Sequence, residues 1–189
     1  FWTDSAAGLL RHAAILAHAV GKGEWTLMQA VELAVREGAA KKAVESLETE
    51  IGEDSGELSE AIAYLVDEFP KQDQRLRTGI IAQARSWISA LTSHPDILAW
   101  ANTPPSKSQL DIADALKGER IGLLVPAHRY GVAGAVVSAL LKARLYSKLK
   151  DRADNPQWAE QGGTPLMLVV DEAQEVATAD DASMLAIGR

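Results

Sequence analysis

Two adjacent acids at the end of an apolar run are the residues in this sequence best suited to do chemistry. The run covers residues 166–170, and Asp171 and Glu172 follow it directly. In phosphate-binding α/β folds, the carboxyl ends of parallel strands face the ligand. An Asp at that position can hold Mg²⁺, and a neighbouring Glu can activate the attacking water. The pattern has the form of a Walker B motif, and it fits equally well a buried strand that ends in two solvated acids.

The phosphate-binding loop that accompanies a Walker B motif is absent from the sequence. That loop reads GxxxxGK[ST], and its backbone amides surround the phosphates. The one Gly-Lys pair is Gly21-Lys22, which is followed by Gly23 between two predicted helices. We therefore expect that this chain does not hydrolyse nucleotide by itself, holds no cofactor, and acts through binding or recognition.

Polar residues also follow an earlier apolar run, residues 121–125. Pro126 ends that run, and His128 and Arg129 come next, at the same predicted sheet edge as Asp171. These two side chains could contact phosphate or nucleic acid. A loop that carries two polar residues is the simpler interpretation, and we favour it.

The charge of the chain does not favour nucleic acid as a ligand. The net charge is −7, and residues 1–100 contain 9 Lys and Arg against 15 Asp and Glu. One acidic stretch supplies the candidate partner-binding carboxylates Glu45, Glu48, Glu53 and Glu57. This stretch predicts either a solvated face or a docking surface for a basic partner.

Basic residues are scattered around the longest helix predicted for this region. Arg75 and Arg77 are the candidates for binding, with Lys71 and Arg85 nearby in the sequence. They could contact DNA phosphates locally, although the net field opposes it.

The elements that must position these residues follow from hydrophobic periodicity. Residues 1–100 repeat apolar side chains at spacings of three and four, which predicts amphipathic helices. Thr26 and Gln29 form a capping box that starts one of them, and Pro70 is expected to end another. Because no strand is available to cover their apolar faces, these helices predict an all-α bundle over residues 1–100.

The pattern changes in the second half of the chain. A break at residues 102–106 precedes the apolar run 121–125, a helix predicted at 132–150, and the apolar run 166–170. Strand, helix and strand in that order predict a partial parallel α/β unit over residues 101–189. Two strands do not make a stable sheet alone, so further strands must come from additional chain or from a partner.

Composition limits the remaining classes of function. The chain has 189 residues and no cysteine, which excludes disulfides and thiolate chemistry. No apolar run approaches the roughly 20 residues that span a bilayer, so we expect no membrane contact. The chain begins with Phe1 inside a helical pattern, and this predicts a piece of a longer protein.

Two segments near the end of the chain resemble a known family. Residues 168–174, LVVDEAQ, and residues 184–189, MLAIGR, are similar to segments of the TraG/TraD class of type IV secretion coupling proteins. In that class an apolar strand ending in Asp-Glu is followed by a helix and a Gly-Arg segment. Residues 111–126 resemble the strand region after the family's inserted all-α domain, and residues 1–100 occupy the position of that domain. The resemblance rests on specific residues at 166–189. Elsewhere it rests only on the position of each segment along the chain.

The resemblance implies a parent that is a homohexameric ATPase with a RecA-like motor, anchored at the cytoplasmic face of the bacterial inner membrane. Such a parent delivers relaxase-bound single-stranded DNA, or protein substrates, to the secretion channel in conjugation. This chain would be a cytoplasmic fragment that contains the substrate-recognition domain and part of the motor. The implied partners are relaxase or effector proteins, accessory secretion factors and single-stranded DNA.

The resemblance also implies roles for individual residues. Asp171 would hold Mg²⁺ and Glu172 would activate water, with Gln174, Arg189 and His128 as further candidates on the nucleotide side. ATP and Mg²⁺ belong to the parent alone, because its Walker A lysine would lie before Phe1.

Two other interpretations stay open at this point. The first is a piece of another DNA-pumping ATPase of the FtsK or HerA class. The second is a free-standing helical adaptor that binds a basic protein partner. The sequence upstream of Phe1 distinguishes them, because a phosphate-binding loop there would favour an ATPase.

Overall fold

The chain separates into two compact units, Phe1–Ser108 and Gln109–Arg189. The computed structural model describes residues 2–47, 56–108, 110–155, 157–161, 163–171 and 173–187. Within these residues the structure is mainly helical, as the first half of the sequence predicts.

The first unit consists of helices in succession. Its elements are α1 (Trp2–Val20), α2 (Leu27–Val35), α3 (Ala39–Leu47), α4 (Gly56–Ile62), a π-helical segment (Ala63–Glu68), α5 (Phe69–Lys71), α6 (Gln74–Thr92), α7 (Pro95–Ala101) and a 3₁₀ turn (Pro105–Lys107). The capping box at Thr26 is confirmed, since its hydroxyl accepts from the Gln29 amide and the Gln29 side chain accepts from the Thr26 amide.

The core of this unit lies around α1, which packs against α2, α3, α4 and α6. Leu9, Ala13 and Leu16 repeat at spacings of three and four along α1, and all three side chains are fully buried. Leu65 from the π-helical segment and Ile80 from α6 complete the same cluster. The predicted helical bundle is therefore held together by one continuous apolar core.

The fourth predicted helix differs from expectation at its end. We predicted that Pro70 would stop it, but α5 contains Pro70 and continues to Lys71. The preceding turns widen into the π-helical segment, and the Phe69 amide donates to the Tyr64 carbonyl five residues back. Proline is tolerated there because it occupies the first turn of the new helix, where its missing N–H is not needed.

The second unit contains a 3₁₀ turn (Ile112–Lys117), α8 (Ala127–Ala153), α9 (Ala173–Val176) and α10 (Ala179–Ile187). A kink interrupts α8 at Gly131, whose φ of +50° lies in the region that favours glycine.

The structure does not show, within the described residues, the α/β unit that the sequence predicts for residues 101–189. Residues 121–125 and 166–170 adopt no regular secondary structure, and no strand occurs anywhere in the described ranges. A strand needs ladder partners along its whole length, and two isolated segments do not supply them. Both runs consequently leave large apolar side chains in solvent, with Leu124 88% and Met167 85% exposed.

No helix in the described part of the chain combines the length and the apolar character needed to cross a membrane.

Candidate functional site

The predicted nucleotide-side residues lie at the surface of the second unit or outside the described residues. Asp171 is exposed in a turn, and Gln174 is exposed on α9. His128 is exposed in the first turn of α8. Glu172 and Arg189 fall outside the residues that the structure describes.

An apolar groove of about 950 Å³ adjoins the segment that ends at Asp171. Leu166, Leu168 and Val170 line one side of it, and Leu149 and Ala153 of α8 line another. Between these lining residues, Met167 and Val169 are 85% and 81% exposed. Alternate residues of the segment thus face the groove and the solvent, which is the side-chain period of a β-strand.

A polar cluster lies at the edge of this groove. The Lys142 ammonium donates to both carboxylate oxygens of Asp181 at 3.0 and 2.7 Å, and the Tyr146 hydroxyl donates to the same carboxylate at 2.5 Å. The amide of Thr178 also donates to Asp181 at 2.6 Å, just before α10 begins. The three side chains thereby join α10 to α8.

The electrostatics of this cluster follow from those contacts. The hydrogen bonds from Lys142 and Tyr146 hold the pKa of Asp181 well below its usual range. Burial, reinforced by the hydrogen bond to Asp181, raises the pKa of Tyr146 to about 12. Sequence reasoning missed the cluster because its members lie 35 and 39 residues apart and share no motif.

A second ion pair fastens the other side of α8. The Arg144 guanidinium donates through two nitrogens to the two oxygens of Asp111, at 2.8 and 2.5 Å. This hydrogen bonding lowers the pKa of Asp111 to about 2. Asp111 also accepts from the Ala113 amide and so starts the 3₁₀ turn. In both arrangements the charged side chains are already hydrogen-bonded to each other, and the contacts connect elements of the second unit.

The predicted acidic docking surface is only partly described. Glu45 on α3 and Glu57 on α4 are both exposed, whereas Glu48 and Glu53 lie outside the described residues. Glu57 approaches Arg11 at 3.8 Å, with both side chains more than half exposed. Such a surface pair contributes little to stability and leaves the carboxylate accessible to a partner.

The basic residues of α6 do not form one strip. At 3.6 residues per turn, positions 75 and 77 differ by roughly 200° around the helix axis. Arg75 is exposed, whereas Arg77 is half-buried and lines a cavity against α2 and α3. Lys71 forms an ion pair with Asp67 at 3.8 Å. This arrangement does not favour the alternative of a single DNA-facing strip.

His12 on α1 is a largely buried titratable group of the first unit that the sequence analysis did not single out. The His12 side chain is 12% exposed and its ring lies 4.4 Å from that of Tyr64. Its Nε2 atom is 3.5 Å from a Glu60 oxygen. Both ring nitrogens are buried without a hydrogen-bond partner among the described residues. Burial lowers the pKa of His12, and the Glu60 carboxylate opposes that shift.

The described residues contain no group of three or more acidic or histidine side chains that could hold a metal ion. Comparison with known proteins adds no relative, because no family model, no curated protein and no solved structure matches this chain.

Proposed function

We propose that this chain carries the substrate-recognition helical domain and part of the motor domain of a type IV secretion coupling ATPase. In this proposal the first unit binds a protein substrate, such as a relaxase or an effector. The second unit contributes its 121–125 and 166–170 segments as strands of a RecA-like sheet that additional strands complete.

The observation that carries the proposal is the alternation of exposure along residues 166–170. One face of the segment lies in the groove beside α8, and the other presents Met167 and Val169 to solvent. A strand that is apolar on both faces is characteristic of parallel sheets, where helices cover both sides. The segment ends at an exposed Asp171, which is where a Walker B acid would meet Mg²⁺.

The motor part of the proposal is tested in a longer chain that includes a phosphate-binding loop. Replacing Glu172 by Gln should preserve ATP binding and reduce turnover by about 10²–10⁴-fold, because the general base is lost. Replacing the exposed Glu160 by Gln is the matched control and should leave the rate unchanged. A Glu172→Gln variant that hydrolyses ATP at the normal rate would refute the Walker B assignment.

The present chain gives a second test of the same assignment. The sequence of this chain has neither the amide cradle nor the lysine that hold phosphates, so its Kd for ATP should be far above the micromolar range. Isothermal titration calorimetry measures this directly. A micromolar Kd for ATP would show that the nucleotide site is built differently.

The recognition part of the proposal is supported by the exposed carboxylates of Glu45 and Glu57. A basic protein tail should associate with this surface at a rate that falls as salt rises from about 50 to 150 mM. Fluorescence anisotropy with a labelled relaxase or effector tail measures the effect. Charge reversal at Glu45 and Glu57 should weaken binding of the basic tail. Tight binding of single-stranded DNA that weakens on Arg75→Ala and Arg77→Ala would contradict the proposal of a protein partner.

The same acidic surface also supports the second candidate, a helical adaptor for a basic protein. A measurement of ATP hydrolysis distinguishes the two functions. A longer chain of the coupling ATPase should hydrolyse ATP, whereas a helical adaptor should not.

A further inference from the structure

We propose that a cavity of the first unit around Arg77 binds an acidic segment of a partner protein, an apolar side chain entering it beside a carboxylate. The cavity presents mainly basic side chains, unlike the acidic surface, and the inference does not depend on the ATPase assignment. The cavity has a volume of about 440 Å³ and lies among α2, α3, the π-helical segment and the start of α6. That size is within the range of about 300–1,000 Å³ typical of ligand pockets.

The walls of the cavity are largely apolar. Leu33, Val66 and Ile81 contribute partly buried side chains that pack against the core, and Phe69 is buried. An apolar side chain entering here would replace water by these contacts, at roughly 25 cal/mol for each Å² removed from solvent.

The charge of the cavity is the reverse of the charge of the chain. Arg36, Lys41 and Arg77 line it, with Glu37 as its one carboxylate among the described lining residues. Arg36 already donates to Glu32, which lies on the preceding turn. Lys41 is exposed, so it and Arg77 are the cations placed to meet an incoming anion.

Arg77 gives the cavity its specificity. Its Nε atom is buried and has no hydrogen-bond partner among the residues described. A buried donor without an acceptor costs free energy in the unbound protein. The guanidinium edge, Nε–H with one Nη–H, matches a carboxylate through two parallel hydrogen bonds. A carboxylate bound there would satisfy the orphan donor and neutralise the charge in one contact.

The test uses the full chain and two short peptides that differ in one group. The probe is an acetylated, amidated Leu-Leu-Glu peptide, and the control peptide replaces the glutamate by glutamine. Nitrogen-15 NMR observes the Nε–H signal of Arg77 directly during the titration. We expect the glutamate peptide to shift this signal with a Kd at least about tenfold lower than that of the glutamine peptide, since 1.4 kcal/mol corresponds to tenfold.

Two variants separate the cavity from a general charge effect. Arg77→Gln should weaken binding of the glutamate peptide at least about tenfold, which is at the low end for a hydrogen bond to a charged group. Arg75→Gln, on the opposite face of α6, should change it less than about twofold. Circular dichroism melting should show both variants folded, because neither side chain has a stabilising ion pair among the described residues.

Three results would overturn the inference. The first is no shift of the Arg77 signal with millimolar glutamate peptide. The second is an equal effect of the two peptides or of the two variants. The third is a labelled oligothymidine that binds more tightly than the glutamate peptide and loses affinity on Arg77→Gln, which would make the site a phosphate contact.

Discussion

Replacing Leu65 by Ala tests whether the apolar core around α1 holds the first unit together. The Leu65 side chain is only 6% exposed and belongs to the cluster that includes Leu9 and Leu16. The substitution removes three carbon groups at about 0.8 kcal/mol each, which gives about 2.4 kcal/mol of lost transfer free energy. The cavity left behind raises the expected loss to about 2.5–4 kcal/mol, within the range measured for buried leucines.

Urea unfolding followed by circular dichroism at 222 nm measures this loss. With an m-value of about 1–3 kcal/mol per molar urea, the unfolding midpoint of the first unit should fall by about 1–4 M. Leu110→Ala is the control, since that leucine is 38% exposed and belongs to the other unit, so the unfolding free energy of the first unit should change by less than about 0.5 kcal/mol. A loss below about 0.5 kcal/mol for Leu65→Ala would mean that this side chain is not part of the core.

Three further expectations concern polar contacts. Burial lowers the pKa of His12 below its usual 6.5, so the unfolded chain binds more protons than the folded chain just below that pH. The free energy of unfolding should therefore fall on acidification. His12→Gln should make the urea midpoint less dependent on pH between pH 5 and 8. Thr26→Ala removes the α2 cap and should lower the free energy of unfolding, measured in urea, by about 0.5–2 kcal/mol. An unchanged free energy of unfolding would show that this cap does not stabilise α2. Asp181→Asn leaves the 11%-exposed Lys142 side chain without its carboxylate and should lower the free energy of unfolding by about 1–3 kcal/mol. In a double-mutant cycle, adding Lys142→Met to Asp181→Asn should lower it by less than the sum of the two single effects. Strictly additive effects would argue against the pair.

Local signals in the sequence were sufficient for most of the first unit. The spacing of Leu9, Ala13 and Leu16 predicts the buried face of α1, and the structure confirms that all three are fully buried. The capping box at Thr26 was equally readable, because a helix start depends on residues three positions apart. Pro70 shows the limit of this reasoning, since whether a proline stops a helix depends on where the next turn starts.

The candidate sites were less accessible to sequence reasoning. The charges of Arg75 and Arg77 were visible, but only packing against α2 and α3 distinguishes the exposed residue from the one that lines a cavity. His12 gave no signal of its own, because its burial depends on Tyr64 and Glu60, which lie far along the sequence in the π-helical segment and α4. Asp181 and Lys142 are 39 residues apart, and nothing in their neighbours indicates that they meet.

The sequence by itself therefore determined where the helices of the first unit lie and which of their faces are buried. Helical hydrogen bonds join residues four apart, so a short stretch of chain contains the information that specifies them. Only the tertiary structure decided whether residues 121–125 and 166–170 form strands. Their apolar side chains are typical of strands, but a strand forms only where another strand pairs with it, and the described residues supply none.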